Sequence, residues 1–433
     1  MQALVDRLER LTVFLFMVIA VGVFWPPVTY FAGSAPTPTG PDPFSTAFNA
    51  ALVGFLVVAG AARARAMTTA LRCAWPLLPL LAMGYASVFW SVAPEAVILP
   101  ATKVAATALF GVYLIARSDI GNLIALFVKA NLVAIVASFV VVAVAPHLAF
   151  STNVEYAHAW RGAFTDKNEL GMIAALGVLS GIYAYRHRYG SRLLSGFAIP
   201  ANLAALLLSE SMTSILVVLP IGLYIAVLGS ALRRRSGAGL LAGFVIILLG
   251  LLGAAAVLAM SGDVLAALGR NATLSNRTRI WGMVLSYIAA RPWFGYGLAS
   301  FWRPDGIEAN QIWAALQWQT PHSHNLWLEL SLGLGLVGAG VAAWLWATAF
   351  WRAGRLLLGG ARDGAFALVL LVAIFVDNLT EYAFFRGDDI QWLLFAATFT
   401  YLGQELMVRR RVRAEARAVD RAPSLAPLWP VAR

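Results

Sequence analysis

Two histidines one residue apart, His322 and His324, stand where a polar, aromatic stretch gives way to a long apolar run. With an ordinary pKa near ~6.5, histidine is the side chain best able to take a proton at neutral pH. His324 is therefore the candidate general base, against the plainer reading that it only begins a membrane helix. His322 either shares that role or orients its neighbour. Asn325, the next residue, either bonds a substrate or caps the helix, a position where asparagine is favoured. The second group is cationic: Arg161, Arg277, Arg279 and Lys167, with Asn168 opening an apolar run beside the lysine. Arginine's planar fork makes bidentate, charge-assisted bonds to anions, and a lysine adds a point charge. Each cation also has a reading as a solvated charge or an interfacial anchor, and Asn168 as a cap. Arg303 and Arg386 are weaker candidates because Asp305 and Asp388 stand close by as surface partners. Glu210, in a short polar turn, either braces an arginine of the site or is merely exposed.

The elements that must position these groups are membrane helices. Of 433 residues, 60% are hydrophobic and 12% charged, where a soluble chain would carry roughly twice that charged fraction. The apolar residues fall in runs near the ~20 needed to cross a bilayer, and lipid leaves the backbone of such runs no alternative to helix. An all-α polytopic membrane protein is expected. The formal net charge of +11 is spread in short clusters between apolar runs, an orientation signal and not a nucleic-acid footprint. The single cysteine, Cys73, excludes an intrachain disulfide framework and a cysteine-based metal site. No cleaved signal peptide is expected from the first apolar run.

Twelve apolar segments can be laid out, near 11–32, 47–62, 74–92, 96–116, 120–145, 168–186, 194–209, 213–232, 238–260, 324–351, 364–384 and 389–407. With the N-terminus in the cytoplasm, Arg7 and Arg10, Arg63 to Arg72, Arg117, Arg186 to Arg192, Arg233 to Arg235 and Arg352 to Arg362 all fall on one side. So does the tail from Arg409, which is expected to be a short helix or disordered and to attract anionic membrane lipids. Both termini are thus expected in the cytoplasm. The chain divides into helices 1–9 over 1–260, a loop over 261–323, helices 10–12 over 324–407 and a basic tail over 408–433.

Three segments on the other side break the charge rule: 146–167, the loop 261–323 and Thr380–Asp389, which holds Glu381, Arg386, Asp388 and Asp389. A bound anion explains them; free translocation of long loops is the alternative. Within the long loop, Arg277 to Ile288 reads as an amphipathic helix with Ile280, Val284 and Tyr287 on one face. Arg291-Pro292 should end it. The aromatic turn that follows, Trp293 to Gly297, suits the lipid headgroup level. The loop is pictured as a partly helical cap. Lys103 and Lys129 lie inside apolar segments; Lys129, near mid-segment, needs a partner or a water-lined cleft. Gly333-x-Gly335-x-x-Gly338 lacks the preceding strand of a dinucleotide site, while Ser331, Gly335 and Ala339 form a small-residue stripe suited to close helix packing.

His324-Asn325, then nine residues, then Gly335-Leu336-Val337-Gly338 resembles the signature of the O-antigen ligase family, the membrane enzymes that finish lipopolysaccharide. Arg161 to Asn168 is similar to the arginine-to-asparagine helix entry of the wider ligase and polymerase superfamily. Arg277-x-x-x-Trp281 with Pro292-x-x-Gly295-x-Gly297 and Phe301 is similar to its loop pattern. The resemblance implies a GT-C-like glycosyltransferase architecture and an undecaprenyl-pyrophosphate-linked O-antigen donor. It implies a lipid A–core acceptor on the periplasmic face of the bacterial inner membrane, inversion at the sugar, and no cofactor or metal. His324 would take the acceptor proton, and Arg161, Arg277 and Arg279 would meet the pyrophosphate. A polymerase or protein-glycosylating relative would share the donor. A twelve-span transporter is disfavoured, because no two-half repeat or midplane break is visible. A monomer is expected, and no nucleic-acid partner.

Overall fold

The computed structural model describes residues 2–22, 43–151, 157–215, 218 and 277–420, and these are helical with short connections. In chain order the helices are α1 (Gln2–Ala20), α2 (Pro43–Ala62), α3 (Ala64–Ala74), α4 (Leu78–Ala86), α5 (Ile98–Arg117), α6 (Ile120–Val144), α7 (Lys167–His187) and α8 (Arg192–Ser209). After the residues not described come α9 (Arg277–Ala290), α10 (Ile307–Leu316), α11 (Leu326–Leu358), α12 (Arg362–Asp377) and α13 (Ile390–Asp420). Six segments among them are long and apolar enough to cross a membrane: Pro43–Ala62, Ala64–Phe89, Pro94–Arg117, Ile120–Val144, Arg192–Ser209 and Leu326–Leu358. The chain is a multi-pass membrane protein. Of the expected spans, 238–260, nearly all of 213–232 and the second half of 11–32 lie outside the described residues, as do Arg270 and the last part of the tail.

Several boundaries move. The span expected at 74–92 begins ten residues earlier, so Arg65 and Arg72 sit on α3 and not in a loop. The one expected at 364–384 stops at Asp377. There the Asn378 side chain turns the chain, its Oδ1 accepting from the amides of Ala383 and Phe384 at 2.9 and 2.8 Å. Ala383, Phe384 and Phe385 are buried, but in a loop. The last helix continues to Asp420, taking in the first half of the basic tail.

α7 packs between α6 and α8, α5 against α3 and α13, and α11 against α12 and α13. Several charged groups among the described residues of the bundle have partners, which a low-dielectric interior favours. Arg352 donates to the carbonyls of Cys73 and Phe399 at 2.8 and 3.1 Å and lies over the Phe399 ring. Lys103 reaches Ser45 and, at 3.8 Å, Asp388. Lys129 is exposed and has no hydrogen bond or ion pair to the described residues. At one end of the bundle Arg63 and Arg117 converge on Glu9, at 2.7 and 2.8 Å.

At the other end, α9 and α10 enclose a small core of their own, with Ile280, Val284, Ile288, Tyr296, Phe301, Trp302, Ile312 and Trp313 buried. The face expected of α9 is thus the one it buries, and the helix ends before Arg291 as expected. This cap is spliced into α11. Gly335 interrupts that helix with φ 69° and ψ −176°, a conformation that essentially only glycine adopts. The freed groups pair with the aromatic turn: Tyr296 and Gly297 amides donate to the Leu332 and Gly333 carbonyls, each at 2.8 Å. Leu336 and Val337 amides donate to the Pro292 and Trp293 carbonyls at 2.7 and 3.3 Å. A Cβ on Gly335 would run into the Trp293 carbonyl. The small-residue stripe is therefore not a helix-packing face at Gly335; a turn of backbone occupies that side.

Candidate active site

The site forms where the start of α7, the start of α9, the loop before α11 and the loop after α12 meet. Asn325 caps α11, its Oδ1 accepting from the amides of Trp327 and Leu328 at 2.9 and 3.1 Å, while its Nδ2 donates to the Leu379 carbonyl at 2.8 Å. Of its two expected roles the geometry gives it the cap, and that cap also ties α11 to the 378–389 loop. Glu329, one turn on, accepts from the Ser323 amide at 2.8 Å and from the Trp302 indole at 3.1 Å. The Trp281 indole donates to the Ser323 carbonyl at 3.0 Å. Held from three sides, the segment adopts a left-handed backbone at His324, φ 52°, the kind of local strain that accumulates where a side chain must be aimed.

His324 points at Glu381. Its Nδ1 lies 2.9 Å from Oε2 of that carboxylate, whose other oxygen accepts from Asn168 Nδ2 at 3.0 Å and pairs with Arg277 Nη2. All three of Arg277, His324 and Glu381 are about 15% exposed at the side chain. Burial alone would raise the Glu381 carboxyl; Arg277 and His324 outweigh that and hold it well below the usual carboxylate range. An ionised carboxylate only accepts, so the His324 proton sits on Nδ1. Nε2 is left with its lone pair, buried and without a hydrogen-bond partner among the described residues. Trp318 stacks over the ring at 5.7 Å.

Residues 196–343 match the model of the O-antigen ligase family, and that stretch carries Arg277, Arg279, His322, His324 and Asn325. This part of the chain is similar to the O-antigen ligase family. The chain is also similar to the exopolysaccharide production protein ExoQ of Rhizobium meliloti (strain 1021), with 30% identity over 241 residues. That similarity covers 52% of this chain and 55% of the relative, so the chain spans about half the length of the curated protein it matches.

The partner that completes this site, Glu381, lies beyond the matched stretch and was not among the site residues expected from sequence. Its segment stood out only as charge on the wrong side of the membrane. Arg277, His324 and Asn168 come together on it as described, and His322 joins through the His324 amide, which donates to His322 Nδ1 at 3.2 Å. Arg161 is engaged elsewhere: Nε and Nη1 donate to the carbonyls of Leu148 and Thr165 at 3.0 and 3.3 Å, bracing the turn into α7. Lys167 donates to the Glu210 carbonyl at 3.1 Å, and the Glu210 carboxylate faces His158 at 3.3 Å; Glu210 thus braces a lysine and a histidine. Arg279 is exposed, with no bond to the described residues. Arg303 is a surface ion pair with Asp305 and Glu95.

Arg386 departs from its weak expectation. Asp388 is occupied by Ser45, Asn49 and Lys103, so it does not neutralise the arginine. Arg386 is exposed, without a hydrogen bond or ion pair to the described residues, yet it acts electrostatically on His322 and feels Asp389, Glu169 and Asp166. Left-handed residues bracket it, Phe385 at φ 59° and Asp388 at φ 66°, and the buried Phe385 ring anchors the loop.

His322, His324 and Glu381 also have metal-ligand chemistry, with one donor atom of each within 4.8 Å of the others. The sequence alone had suggested no such cluster. The set fits a divalent ion poorly: both Glu381 oxygens already serve Arg277, Asn168 and His324, and an ion would have to displace a guanidinium. Chelation with EDTA should therefore leave the rate of glycan transfer unchanged; a loss reversed by adding back Mg²⁺ or Zn²⁺ would show that this ion-paired arrangement is not the working one.

Proposed function

We propose that the chain transfers polysaccharide from undecaprenyl pyrophosphate to lipid A–core on the periplasmic face of the bacterial inner membrane, with inversion and without a metal. The observation that carries this reading is the unpartnered Nε2 of His324, fixed as a base by the Glu381 carboxylate and set among arginines. An acceptor hydroxyl gives its proton to Nε2, and its oxygen bonds the anomeric carbon from the side opposite the leaving group. The bond from that carbon to the pyrophosphate oxygen breaks, and its electron pair leaves on the phosphate. Glu381 steadies the imidazolium as it forms. An α-linked donor would give a β-linked product.

Cations must meet the charge on the departing pyrophosphate. Arg277 borders the site but shares its charge with Glu381, whereas the exposed Arg386 has its donors open. Replacing Arg386 by alanine should raise the KM for the lipid-linked donor by about tenfold or more, the scale of one lost charge-assisted bond, with the acceptor KM little changed. An unaltered donor KM would remove Arg386 from this role.

The rest of the reading belongs to the same proposal: about twelve spans in a GT-C-like arrangement, a monomer, and both termini in the cytoplasm. The convergence of Arg63 and Arg117 on Glu9 supports that orientation, since three segments assigned to one side meet at one end. A second reading, favoured by the similarity to an exopolysaccharide production protein, is polymerisation, with another lipid-linked glycan as acceptor; a protein-glycosylating role would share the donor. Expression in a ligase-deficient Gram-negative strain and in an exopolysaccharide-deficient one decides between them. A restored lipopolysaccharide ladder supports ligation, restored high-mass exopolysaccharide supports polymerisation, and neither in well-expressing cells sinks both.

A further inference from the structure

The two histidines are held in opposite tautomers, and this has a consequence for the acceptor. A backbone amide can only donate, so the 3.2 Å contact from the His324 amide makes His322 Nδ1 an acceptor. The single proton of a neutral His322 ring is then on Nε2, which makes no hydrogen bond to the described residues. Burial, reinforced by His324, Arg386 and Arg277, depresses the pKa of His322 well below its ordinary value, which keeps the ring neutral; Glu381 opposes this without reversing it. His324 has the reverse arrangement, a proton on Nδ1 and a lone pair on Nε2. The ring centroids are 4.3 Å apart and tilted by 60°, and Tyr382 meets the His322 ring edge-on at 5.8 Å. A lone pair and an N–H donor thus lie on neighbouring rings.

We infer that His322 grips the acceptor sugar: its Nε2–H donates to an oxygen adjacent to the hydroxyl whose proton His324 takes. Sugars carry oxygens on neighbouring carbons, and a donor next to an acceptor matches that pattern. The grip fixes rotation of the attacking hydroxyl toward the anomeric carbon, an orientation effect. The left-handed backbone at His324 makes the arrangement possible, because it turns the amide back onto the preceding histidine while its own ring faces Glu381.

This inference rests on the transfer reading, and its test separates the two. In nanodiscs, with an undecaprenyl-pyrophosphate-linked oligosaccharide as donor and rough lipopolysaccharide titrated as acceptor, His322→Phe should raise the acceptor KM about tenfold, the scale of one hydrogen bond. The donor KM should hold. His322→Gln, which keeps an N–H donor, should recover most of the loss. Equal damage in both variants, or an unchanged acceptor KM in His322→Phe, overturns the assignment. Nitrogen-15 NMR of histidine-labelled protein reads the tautomer directly: a proton on Nε2 and no charging through mildly acidic pH are expected, and a proton on Nδ1 overturns it. If wild type transfers nothing to either this acceptor or the donor's own glycan, the functional reading fails while the NMR result still decides the tautomer.

Discussion

In membranes carrying His324→Ala at wild-type expression, glycan transfer should fall by about 10²–10⁴, the range that a positioned general base contributes. Glu381→Gln should come close to that loss, and it is the sharper variant. Glutamine can present an N–H to Nδ1, which would draw the histidine proton to Nε2 and remove the lone pair the reaction needs. It would also leave Arg277 without its carboxylate. Glu381→Asp keeps the charge and should retain more activity than the glutamine variant. Glu381 itself sets no acid limit on the rate in the mildly acidic range. Its folded-state pKa lies below the ordinary carboxylate value, so its ionised contribution is complete above that ordinary value and is lost only as pH falls through the lowered one. A His324→Ala protein with full activity would make the histidine a structural residue only, and a Glu381→Gln protein with full activity would remove the carboxylate from the mechanism.

What the sequence made legible here follows from distance along the chain. Several apolar runs among the described residues, the amphipathic face of α9 and the stop before Pro292 are local, and these appear where periodicity and proline chemistry place them. His324 and Arg277 were visible because their neighbours form a pattern. Glu381 was not, because nothing local distinguishes a carboxylate that reaches a histidine 57 residues away. The end of α12 was hidden for a different reason. Ala383 to Phe385 are as buried as helix residues would be, and hydropathy cannot tell a buried loop from a buried helix when an asparagine side chain supplies the backbone partners. Arg161 and Lys167 show the converse: their charge suggested an anion, and the fold uses them on carbonyls.

The glycine motif after the histidine is where sequence and structure differ most, and Gly335→Ala should be a severely damaging small substitution. An alanine there must either hold a φ of 69° with an extended ψ, at a cost of about 1–3 kcal/mol in backbone strain alone, or repack against the Trp293 carbonyl that its Cβ would strike. Either way the four hydrogen bonds between 292–297 and 332–337 come under strain together. Those bonds join α9, which carries Arg277, to α11, which His324 precedes; losing them frees the two halves of the site to separate. Gly340→Ala is the control, since that glycine has open space where a Cβ would go and alanine favours helix. The expected result is a lowered melting temperature in detergent and transfer near background for Gly335→Ala, with Gly340→Ala close to wild type in both. Normal melting with lost transfer would assign Gly335 to the substrate path instead of the splice, and normal values for both would mean that the break in α11 is dispensable.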